Sequence, residues 1–227
     1  MIKIAVFTPV WKRPEMRQEY LKHMAMQVAE AEKHGVELSV TIAGSEGRET
    51  QNEAENFGFT YVEFPNQPLG AKFNMAMNVA IQNHNPDYVM PIGSDTFFHH
   101  DIWGVFADNI NQGYKYIGVY DLFMWDWDED TACYWGGYTG AREGEPIGPL
   151  RAIKTCLVPE DGNLYSPTFS RNLDQSASGK LPQARVFSAK PFLLTSCKVG
   201  ENLTNISNFN QDELTPVPVS KLAALLR

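Results

Sequence analysis

The sequence predicts an α/β fold in which helices flank a mostly parallel central sheet. Over the first half of the chain, short apolar runs rich in β-forming residues alternate with longer segments of helical periodicity. A β-α-β order of this kind implies right-handed crossovers with helices covering the sheet. The 227 residues, 43% of them hydrophobic, are enough to bury a substantial core.

The first strand and the first helix show these signals most clearly. Lys3–Pro9 (KIAVFTP) is a continuous apolar run, as expected for a strand that is covered on both faces. A helix is predicted to begin at Pro14, because proline is favoured at a helix start, and to stop near Gly35. Its apolar residues recur every four positions at Met16, Tyr20, Met24 and Val28.

The alternation continues as far as residue 110. Further strands are predicted at Glu37–Ala43, Thr60–Phe64 and Asp87–Ile92, and further helices at Gln51–Phe57, Ala71–Asn83 and Asp101–Ile110. Ligands of such sheets bind in the crevice outside the carboxyl ends of the strands. Four loops are therefore expected to meet there, namely Thr8–Arg13, Gly44–Arg48, Asn66–Lys72 and Gly93–His100.

The second half of the chain has a different pattern. Tyr114–Trp127 is aromatic and β-like, and together with Cys133–Tyr138 it predicts a hairpin around the acidic tip Asp126–Asp130. A weak helix is predicted near Leu150–Leu157, and a helical pattern returns at Val219–Leu226. Because no repeat or low-complexity linker is present, the simplest organisation is one domain over the whole chain.

The composition argues against several classes of protein. Acidic residues outnumber basic ones, 27 against 19, and the net charge of −8 argues against a protein held on nucleic acid mainly by a basic surface. A local basic channel is still compatible with that charge. Three cysteines without a CxxC pair argue against a disulfide framework or a zinc–thiolate cluster. Without a signal-peptide pattern or a membrane-span window, a cytoplasmic protein is expected.

The strongest local signal for chemistry is the segment Asp87–Asp101 (DYVMPIGSDTFFHHD). It is a buried strand followed by Asp95, whose carboxylate is expected to point into the crevice. There it can hold a divalent cation that neutralises a diphosphate. The alternative is that Asp95 caps the next turn or helix. His99 and His100 are individually expected to be surface residues rather than ligands. The sequence has no GxGxxG, P-loop, GxSxG or HExxH motif.

Four segments together resemble a known family. They are TPVWKR after the first strand, AGSEG after the second, the turn FPNQPLGAKFN, and the fourth strand with its loop, YVMPIGSDTF. Their order and spacing resemble the family 2 glycosyltransferases of the GT-A fold, the small bacterial and phage members most closely. The resemblance implies transfer of a sugar from a nucleoside-diphosphate donor, with Mn²⁺ or Mg²⁺ bridging the two phosphates of the leaving group.

The resemblance also assigns roles to individual residues, most of them in the nucleotide-sugar-binding half, residues 1–112. The implied donor-binding residues of this half are Thr8, Pro9, Arg13, Glu46, Lys72, Asn74 and Ser94. Late in the chain, Lys198 and Asn202 resemble a lysine-plus-asparagine element that is expected to close over the donor phosphates. Asp95 is the implied metal ligand. The acidic element around it is reduced, because Gly93 and Thr96 stand where relatives carry aspartates, so His99 and His100 are the nearest residues to complete the shell. Ile42-Ala43 replaces the usual acidic pair after the second strand, which leaves base recognition open.

The second half, residues 113–227, is expected to supply the acceptor site and the catalytic base. An inverting transfer needs a general base for the acceptor hydroxyl. Because the family places an acidic residue at a helix start, Asp174 is the predicted base, with Glu143 and Glu145 as competitors. Arg142 and Arg151 are candidates for phosphate contact, with surface ion pairs as the default expectation. Candidate acceptor-binding residues are Trp135, Gly136, Gly137 and Tyr138, for which a hairpin core is the equal alternative.

The predicted function is therefore a metal-dependent glycosyltransferase. Its acceptor is a surface glycan, a protein, or phage DNA that carries a hydroxymethylated base. One alternative is a nucleotidyltransferase on a related sheet. The absence of a glycine-rich basic loop after the first strand argues against it. The other is a non-catalytic module that binds a nucleotide or a sugar, which the reduced acidic element favours.

Overall fold

The computed structural model describes residues 1–200 and 205–223. The helices are α1 (Pro14–Ala31), α2 (Arg48–Asn56), α3 (Leu69–His84), α4 (Ile102–Asn111) and α5 (Leu173–Ser178). The first six strands are β1 (Ile2–Pro9), β2 (Val36–Gly44), β3 (Thr60–Glu63), β4 (Tyr88–Pro91), β5 (Thr96–Phe97) and β6 (Tyr116–Val119). The others are β7 (Leu122–Asp126), β8 (Thr131–Trp135), β9 (Ala152–Lys154), β10 (Arg185–Phe187), β11 (Thr195–Lys198) and β12 (Leu214–Pro216).

A seven-stranded sheet has the order β10-β6-β9-β4-β1-β2-β3. Strands β4, β1, β2 and β3 pair in parallel, as the sequence predicts for the first half, whereas β9 runs antiparallel to both of its neighbours. The carboxyl ends of the four parallel strands therefore lie at one edge of the sheet. The loops after β1, β2, β3 and β4 begin at that edge, which is where the candidate site forms.

Strand β1 shows why its sequence is continuously apolar. Ile4 and Val6 belong to one buried cluster, to which α1 contributes, and Ala5 and Phe7 belong to another, to which α3 contributes. Because alternate side chains of a strand point to opposite faces, a strand covered by helices on both faces needs apolar residues at every position. The predicted strand and helix are both present, and of the predicted apolar positions in α1, Met16, Tyr20 and Met24 are buried while Val28 is half-buried.

A second sheet of five strands has the order β12-β8-β7-β11-β5. The antiparallel pair β7 and β8 is the predicted hairpin. Strand β11 pairs with β5 on one side and with β7 on the other, although β5 follows the fourth loop of the first sheet and β11 lies near the end of the chain. This pairing brings residues from the two halves of the sequence into contact beside the crevice.

Some boundaries and elements differ from the prediction. Helix α2 begins at Arg48, three residues before the predicted start at Gln51. The weak helix predicted near Leu150–Leu157 is wrong, because Ala152–Lys154 forms the strand β9 between β4 and β6, and only a 3-10 turn follows at Thr155–Leu157. The apolar residues of this segment fill a position inside the sheet, where pairing with neighbouring strands outweighs a weak local helical pattern.

The carboxyl-terminal pattern is only partly covered by the structure. The predicted helix Val219–Leu226 is a 3-10 turn at Val219–Lys221, and its residues from 224 onward lie outside the described part of the chain. Within residues 1–200 and 205–223, no helix has the length and apolar character that a membrane crossing requires.

Candidate active site

Three of the four loops at the carboxyl edge of the sheet come together around Lys72, in the first turn of α3. The Lys72 ammonium donates hydrogen bonds to the Val10 carbonyl oxygen at 2.6 Å, to Ser45 Oγ at 2.6 Å and to Asn66 Oδ1 at 3.2 Å. These acceptors belong to the loops after β1, β2 and β3. The predicted convergence of these three loops at one crevice is therefore confirmed, and one side chain holds them.

Lys72 is fully buried, so its ammonium is enclosed by the loops that it joins. Burial is the largest influence on its pKa, which falls from 10.5 to about 8, while Glu46 and Glu63 partly oppose the shift. The ammonium is already supplied with three acceptors from the protein. Lys72 thus positions the donor-side loops in this structure, and the predicted donor contact would require those acceptors to give way.

Asp95 follows β4 in the fourth loop and lies between two cations. Its carboxylate is 3.9 Å from Arg13 Nη1 and 3.5 Å from Lys198 Nζ, and Ser196 Oγ lies at 3.5 Å. Arg13 also donates a hydrogen bond to Ser94 Oγ at 3.1 Å. Arg13, Ser94 and Lys198, which the resemblance assigns to donor binding, thus lie together around Asp95, and their roles stay predictions.

The alternative role of Asp95 as a cap of the next helix has no support in these contacts. The next helix, α4, has Asp101 at its N-cap position, and the short strand β5 separates it from Asp95. The backbone of Asp95 is instead tied to β11, since its carbonyl oxygen accepts the N–H of Cys197 at 2.7 Å. Pairing between β5 and β11 therefore fixes where the Asp95 carboxylate stands.

The donor set around Asp95 fits a hydrated divalent cation with a diphosphate. Mg²⁺ usually binds through one or two carboxylates together with phosphate oxygens and waters, so a single protein carboxylate is sufficient. Arg13 and Lys198 both lie within 4 Å of the Asp95 carboxylate, so two positive charges face this position.

Two open clefts adjoin this cluster. The larger, of about 520 Å³, lies against the start of α1, including Lys12 and Arg13, and against Trp127 and Gly200. The smaller, of about 220 Å³, is lined by Lys198 and shares Gly200 with the first. Small-molecule sites typically occupy about 300–1,000 Å³, so the larger cleft has room for a nucleotide-sized ligand. Each of the two cations beside Asp95 thus lines one of these clefts.

Asp174 lies in the first turn of α5 and is surrounded by hydrogen-bond donors. Its Oδ2 accepts hydrogen bonds from the Tyr138 hydroxyl at 2.7 Å and from Arg142 Nη2 at 3.1 Å, and Arg151 Nη2 is 3.8 Å away. Partial burial raises the pKa of Asp174, but the bonds from Tyr138 and Arg142 and the charge of Arg151 outweigh it, so the net pKa is below the usual value. The carboxylate is therefore ionised at neutral pH.

A chain of contacts links Asp174 to the edge of the sheet that holds Asp95. The backbone N–H of Leu150 bonds to the carbonyl oxygen of Pro91, the last residue of β4, at 3.0 Å. The neighbouring Arg151 reaches the backbone oxygen of Asp174 through Nη1 at 3.1 Å. Both carboxylates are thus attached to the carboxyl end of β4, Asp95 through the loop that follows it and Asp174 through Arg151.

Several solved structures share this architecture. Residues 1–349 of TarS from S. aureus, in complex with UDP-GlcNAc, match with a TM-score of 0.61 and 15% identity over 88% of this chain and 60% of that one. The same segment with UDP has a TM-score of 0.59 at 14% identity, covering 87% of this chain and 61% of that one. A proposed nucleotide-diphospho-sugar transferase from Desulfovibrio desulfuricans G20 has a TM-score of 0.50 at 13% identity, covering 88% and 83%.

The chain has the GT-A fold. This likeness concerns architecture, and the chain spans about three fifths of the TarS segment that it matches. No protein-family profile matches the sequence, and no curated protein matches it either. The predicted α/β class with a mostly parallel sheet and flanking helices is confirmed.

The remaining predicted donor residues lie close to the carboxyl edge of the sheet, but some are enclosed, and Asn202 lies outside the described residues. Thr8 is buried at the end of β1, next to Pro9, and its hydroxyl pairs with that of Tyr20 at 2.5 Å. Glu46 is partly exposed and accepts a hydrogen bond from Arg17 Nη1 at 2.9 Å. Asn74 is buried, and its amide bonds to the backbone of Tyr165 in both directions, at 2.8 and 2.9 Å. That amide ties α3 to the segment before α5.

The predicted acceptor residues lie at the end of the hairpin, near Asp174. Trp135 is buried in the core and packs edge-on against Tyr138 and Phe209, with ring centroids 5.0 Å apart in both pairs. Its position fits the hairpin-core alternative. Tyr138 is only half-buried and touches Asp174 directly, and Gly136 is exposed. A Cβ on Gly137 would overlap the carbonyl oxygen of Tyr120, and its φ of 104° favours glycine, so close packing explains this residue.

The acidic competitors for the role of base are less enclosed than Asp174. Glu145 forms an ion pair with Arg142 at 2.8 Å, and Glu143 is exposed. At the hairpin tip, Asp126 accepts the backbone N–H groups of Asp128 and Glu129, each at 3.1 Å, which is a turn of the kind that Asp commonly forms.

His99 and His100 do not join Asp95 in the described contacts. Their charged neighbours are Asp101 and, for His100, Glu30 near the carboxyl end of α1. Arg13, which contacts Asp95, lies at the amino end of α1, whereas Glu30 is near its carboxyl end. The expectation that these histidines complete the ligand shell of Asp95 is therefore not supported by the structure.

Sequence reasoning missed two buried arginines that organise the site. Arg17 is nearly fully buried and pairs with Glu46 and with Glu53. Arg151, expected on the surface, is 1% exposed and donates to the carbonyl oxygens of Pro146 and Ile147, both at 2.6 Å. That expectation was wrong, because the guanidinium is satisfied by backbone oxygens that no local sequence pattern indicates. Arg142, in contrast, forms the expected ion pairs.

Proposed function

We propose that this chain is a glycosyltransferase that moves a sugar from a nucleoside-diphosphate donor to an acceptor hydroxyl. The observation on which the proposal rests is the position of Asp95 between Arg13 and Lys198, beside open clefts at the carboxyl edge of a GT-A sheet. The TarS segment with the same architecture binds UDP and UDP-GlcNAc. These ligands make UDP-sugars the first donors to test.

The diphosphate of the donor is expected to lie between the two cations. Charge-assisted bonds from a guanidinium and an ammonium are among the strongest contacts available to phosphate oxygens. Arg13 and Lys198 are positioned by different elements, the loop after β1 and the strand β11, so they can approach a diphosphate from two sides. Both would stabilise the charge that develops on the departing nucleoside diphosphate.

Asp95 is the residue that would hold a divalent cation in this site. When bound, Mn²⁺ or Mg²⁺ supplies a Lewis acid that offsets negative charge on the leaving diphosphate. The carboxylate then no longer opposes anion binding, because its charge is neutralised. Ser94 and Ser196 surround Asp95 with hydroxyl groups that can orient water around it.

We propose Asp174 as the general base for the acceptor hydroxyl. Its ionisation at neutral pH and its contact with the half-buried Tyr138 support this role. The hydrogen bonds from Tyr138 and Arg142 hold the carboxylate in place, and the positive charge nearby stabilises it. An attacking hydroxyl that replaces the Tyr138 hydroxyl would lie within reach of the same oxygen.

The proposal is tested by calorimetric titration with UDP and UDP-GlcNAc, with and without Mn²⁺, followed by measurement of UDP release. Binding of UDP that Mn²⁺ strengthens, together with UDP release on adding an acceptor saccharide or protein, supports the transferase. Release of pyrophosphate from UTP and a sugar phosphate would identify a nucleotidyltransferase instead. Binding without turnover on any acceptor would identify a non-catalytic module. Hydroxymethylated DNA is tested in parallel, and binding to it should weaken steeply with salt.

A further inference from the structure

Three of the five histidines in the chain gather at one surface position outside the Asp95 site. His34 ends the 3-10 turn that follows α1, and His99 and His100 stand in the turn before α4. Asp101, the first residue after that pair, contacts all three. Its Oδ2 is 3.3 Å from His99 Nδ1, and its Oδ1 is 3.7 Å from His100 Nε2 and 3.8 Å from His34 Nε2.

We propose that this cluster is a binding site for a divalent transition-metal ion of the zinc class. His99, His100 and Asp101 supply three ligand atoms that all lie within 4.8 Å of one another, and His34 is assigned to the fourth position. Ligand atoms about 2.0–2.2 Å from a tetrahedral ion are separated by about 3.3–3.6 Å. The separations from Asp101 are close to that range, whereas the three ligand atoms of His99, His100 and Asp101 lie within 4.8 Å of one another, so the side chains must move closer together to bind the ion.

Local geometry prepares these groups for a metal. Asp101 is the N-cap residue of α4, yet its side chain makes no capping hydrogen bond, and its carboxylate faces the histidines instead. The backbone N–H of Asp101 donates to His99 Nδ1 at 3.3 Å, so a metal ion bound at this nitrogen would replace that hydrogen bond. The rings of His99 and His100 are stacked with centroids 4.2 Å apart.

Gly104 in the first turn of α4 makes room for the fourth group. A Cβ at this position would lie 3.1 Å from His34 Nδ1, tighter than ordinary packing allows. The absence of a side chain on Gly104 lets the His34 ring lie against the helix with its Nε2 towards Asp101. A bound ion would thereby connect the end of α1 to the start of α4.

The cluster is separate from the Asp95 site in both position and ligand chemistry. His100 contacts Glu30 near the carboxyl end of α1, whereas Arg13, which contacts Asp95, precedes the amino end of that helix. At 1.5 Å per residue, Glu30 and Arg13 are about 25 Å apart along the helix. Imidazole nitrogens suit Zn²⁺, Ni²⁺ and Cu²⁺, and an oxygen-only site such as that of Asp95 suits Mg²⁺ and Mn²⁺. Excess Mg²⁺ is therefore expected to leave the histidine site available to zinc.

The test is calorimetric titration of the chelator-treated full chain with ZnCl₂ in excess Mg²⁺, together with thermal unfolding and the visible spectrum after Co²⁺ loading. The wild type should bind one Zn²⁺ per chain, unfold at a higher temperature with zinc, and give a tetrahedral Co²⁺ spectrum. His99→Ala and His100→Ala should each weaken zinc binding at least 100-fold, since loss of even an outer partner of a metal ligand costs about 10–100-fold. His34→Ala should weaken it about 10-fold or more.

Matched controls separate this site from the rest of the molecule. His84→Ala removes a histidine that bonds only to Thr60 among its described partners, and Asp95→Asn removes the candidate donor-site ligand. Both variants should keep wild-type zinc affinity and the zinc-dependent rise in unfolding temperature. Absence of stoichiometric zinc binding in the wild type overturns the proposal. So does zinc binding that survives in His99→Ala and His100→Ala, or that disappears in Asp95→Asn.

Discussion

The Lys198 ammonium lies 3.5 Å from the Asp95 carboxylate, a contact between residues from opposite halves of the chain. It exists because β11 pairs with β5, which begins directly after Asp95, and because Lys198 is the last residue of β11. Ser196, in the same strand, faces the same carboxylate. The proposed metal ligand Asp95 and the proposed phosphate contact Lys198 are thus held next to each other by strand pairing.

Asp95→Asn should remove the effect of Mn²⁺ on UDP binding. Without the metal, the variant should bind UDP at least as tightly as the wild type, because no carboxylate then competes with the diphosphate for Arg13 and Lys198. With Mn²⁺, the wild type should gain about tenfold or more in affinity, equivalent to about 1.4 kcal/mol, and the variant should gain nothing. Calorimetric titration with UDP measures both arms. A variant that keeps the full gain from Mn²⁺ would show that the ion binds elsewhere.

Lys198→Gln should weaken UDP binding about 10- to 100-fold, because a charge-assisted hydrogen bond to phosphate is worth about 1.5–3 kcal/mol. The loss should depend only weakly on ionic strength, since Lys198 is buried and salt screens buried charges little. Lys22→Gln is the matched control, because Lys22 is an exposed lysine that pairs only with Glu19 among its described partners. Equal UDP affinities for Lys198→Gln and the wild type would remove Lys198 from the donor site.

Asp174→Asn should lower the rate of sugar transfer about 10²–10⁴-fold, the usual contribution of a general base. UDP affinity should change little. The unfolding temperature should fall slightly, because the amide oxygen still accepts hydrogen bonds from Tyr138 and Arg142 but no longer offsets the charges of Arg142 and Arg151. In the wild type, the pKa of Asp174 is below its ordinary value of about 3.9. The acid limb of the rate profile should therefore lie below pH 4.

Asp161→Asn is the control for that variant, since Asp161 is an exposed aspartate that bonds to Asn163 in the same part of the chain. It should leave the rate of transfer unchanged. A wild-type rate in Asp174→Asn would return the role of base to Glu143 or Glu145. A large fall in unfolding temperature would identify Asp174 as a structural partner of Arg142 and Arg151.

The neighbouring glycines Gly136 and Gly137 should respond differently to alanine. Gly137→Ala places a Cβ against the Tyr120 backbone at a positive φ, so it should lower the free energy of unfolding by about 1–3 kcal/mol. Gly136→Ala meets no atom within 4 Å and should change stability by less than about 0.5 kcal/mol. Urea unfolding measures both. If Gly136 contacts an acceptor, its alanine variant should raise KM for the acceptor while stability is unchanged.

The strands of the sheet were easier to predict from the sequence than the side-chain contacts at the candidate site. Apolar runs such as Lys3–Pro9 predict strands because both faces are buried, and the order of elements then places the loop ends at one edge. Asp95 could be found because it directly follows such a run. Ala152–Lys154 was missed as a strand, because its place between β4 and β6 depends on distant pairing partners.

The buried arginines show a second limit of sequence reasoning. No local sequence pattern marks Arg151 as buried. Its guanidinium donates hydrogen bonds to the carbonyl oxygens of Pro146 and Ile147, and these oxygens come into position only when the chain folds. Lys72 was predicted to face the donor, on the basis of a family resemblance. Its three acceptors come from loops spread over residues 10–66, and only the fold brings them together.

The burial of Lys72 should appear as a rise of stability with pH. Its pKa is about 8 in the folded protein and 10.5 when exposed, so the unfolded chain holds more protons between these values. Because stability rises with pH wherever the unfolded state binds more protons, this group should add about 2 kcal/mol to the free energy of unfolding between pH 7 and 9.5. Below pH 7 both states are protonated and the contribution is constant.

Comparison of Lys72→Met with the wild type isolates this effect, since other groups that titrate in the same range are common to both proteins. The difference in the free energy of unfolding between them, from urea unfolding at pH 7, 8, 9 and 9.5, should shift by about 2 kcal/mol in favour of the wild type as the pH rises. Lys22→Met, at an exposed lysine, should show no such shift. A pH-independent difference would mean that the Lys72 ammonium keeps an ordinary pKa, and hence that solvent reaches it among the three loops.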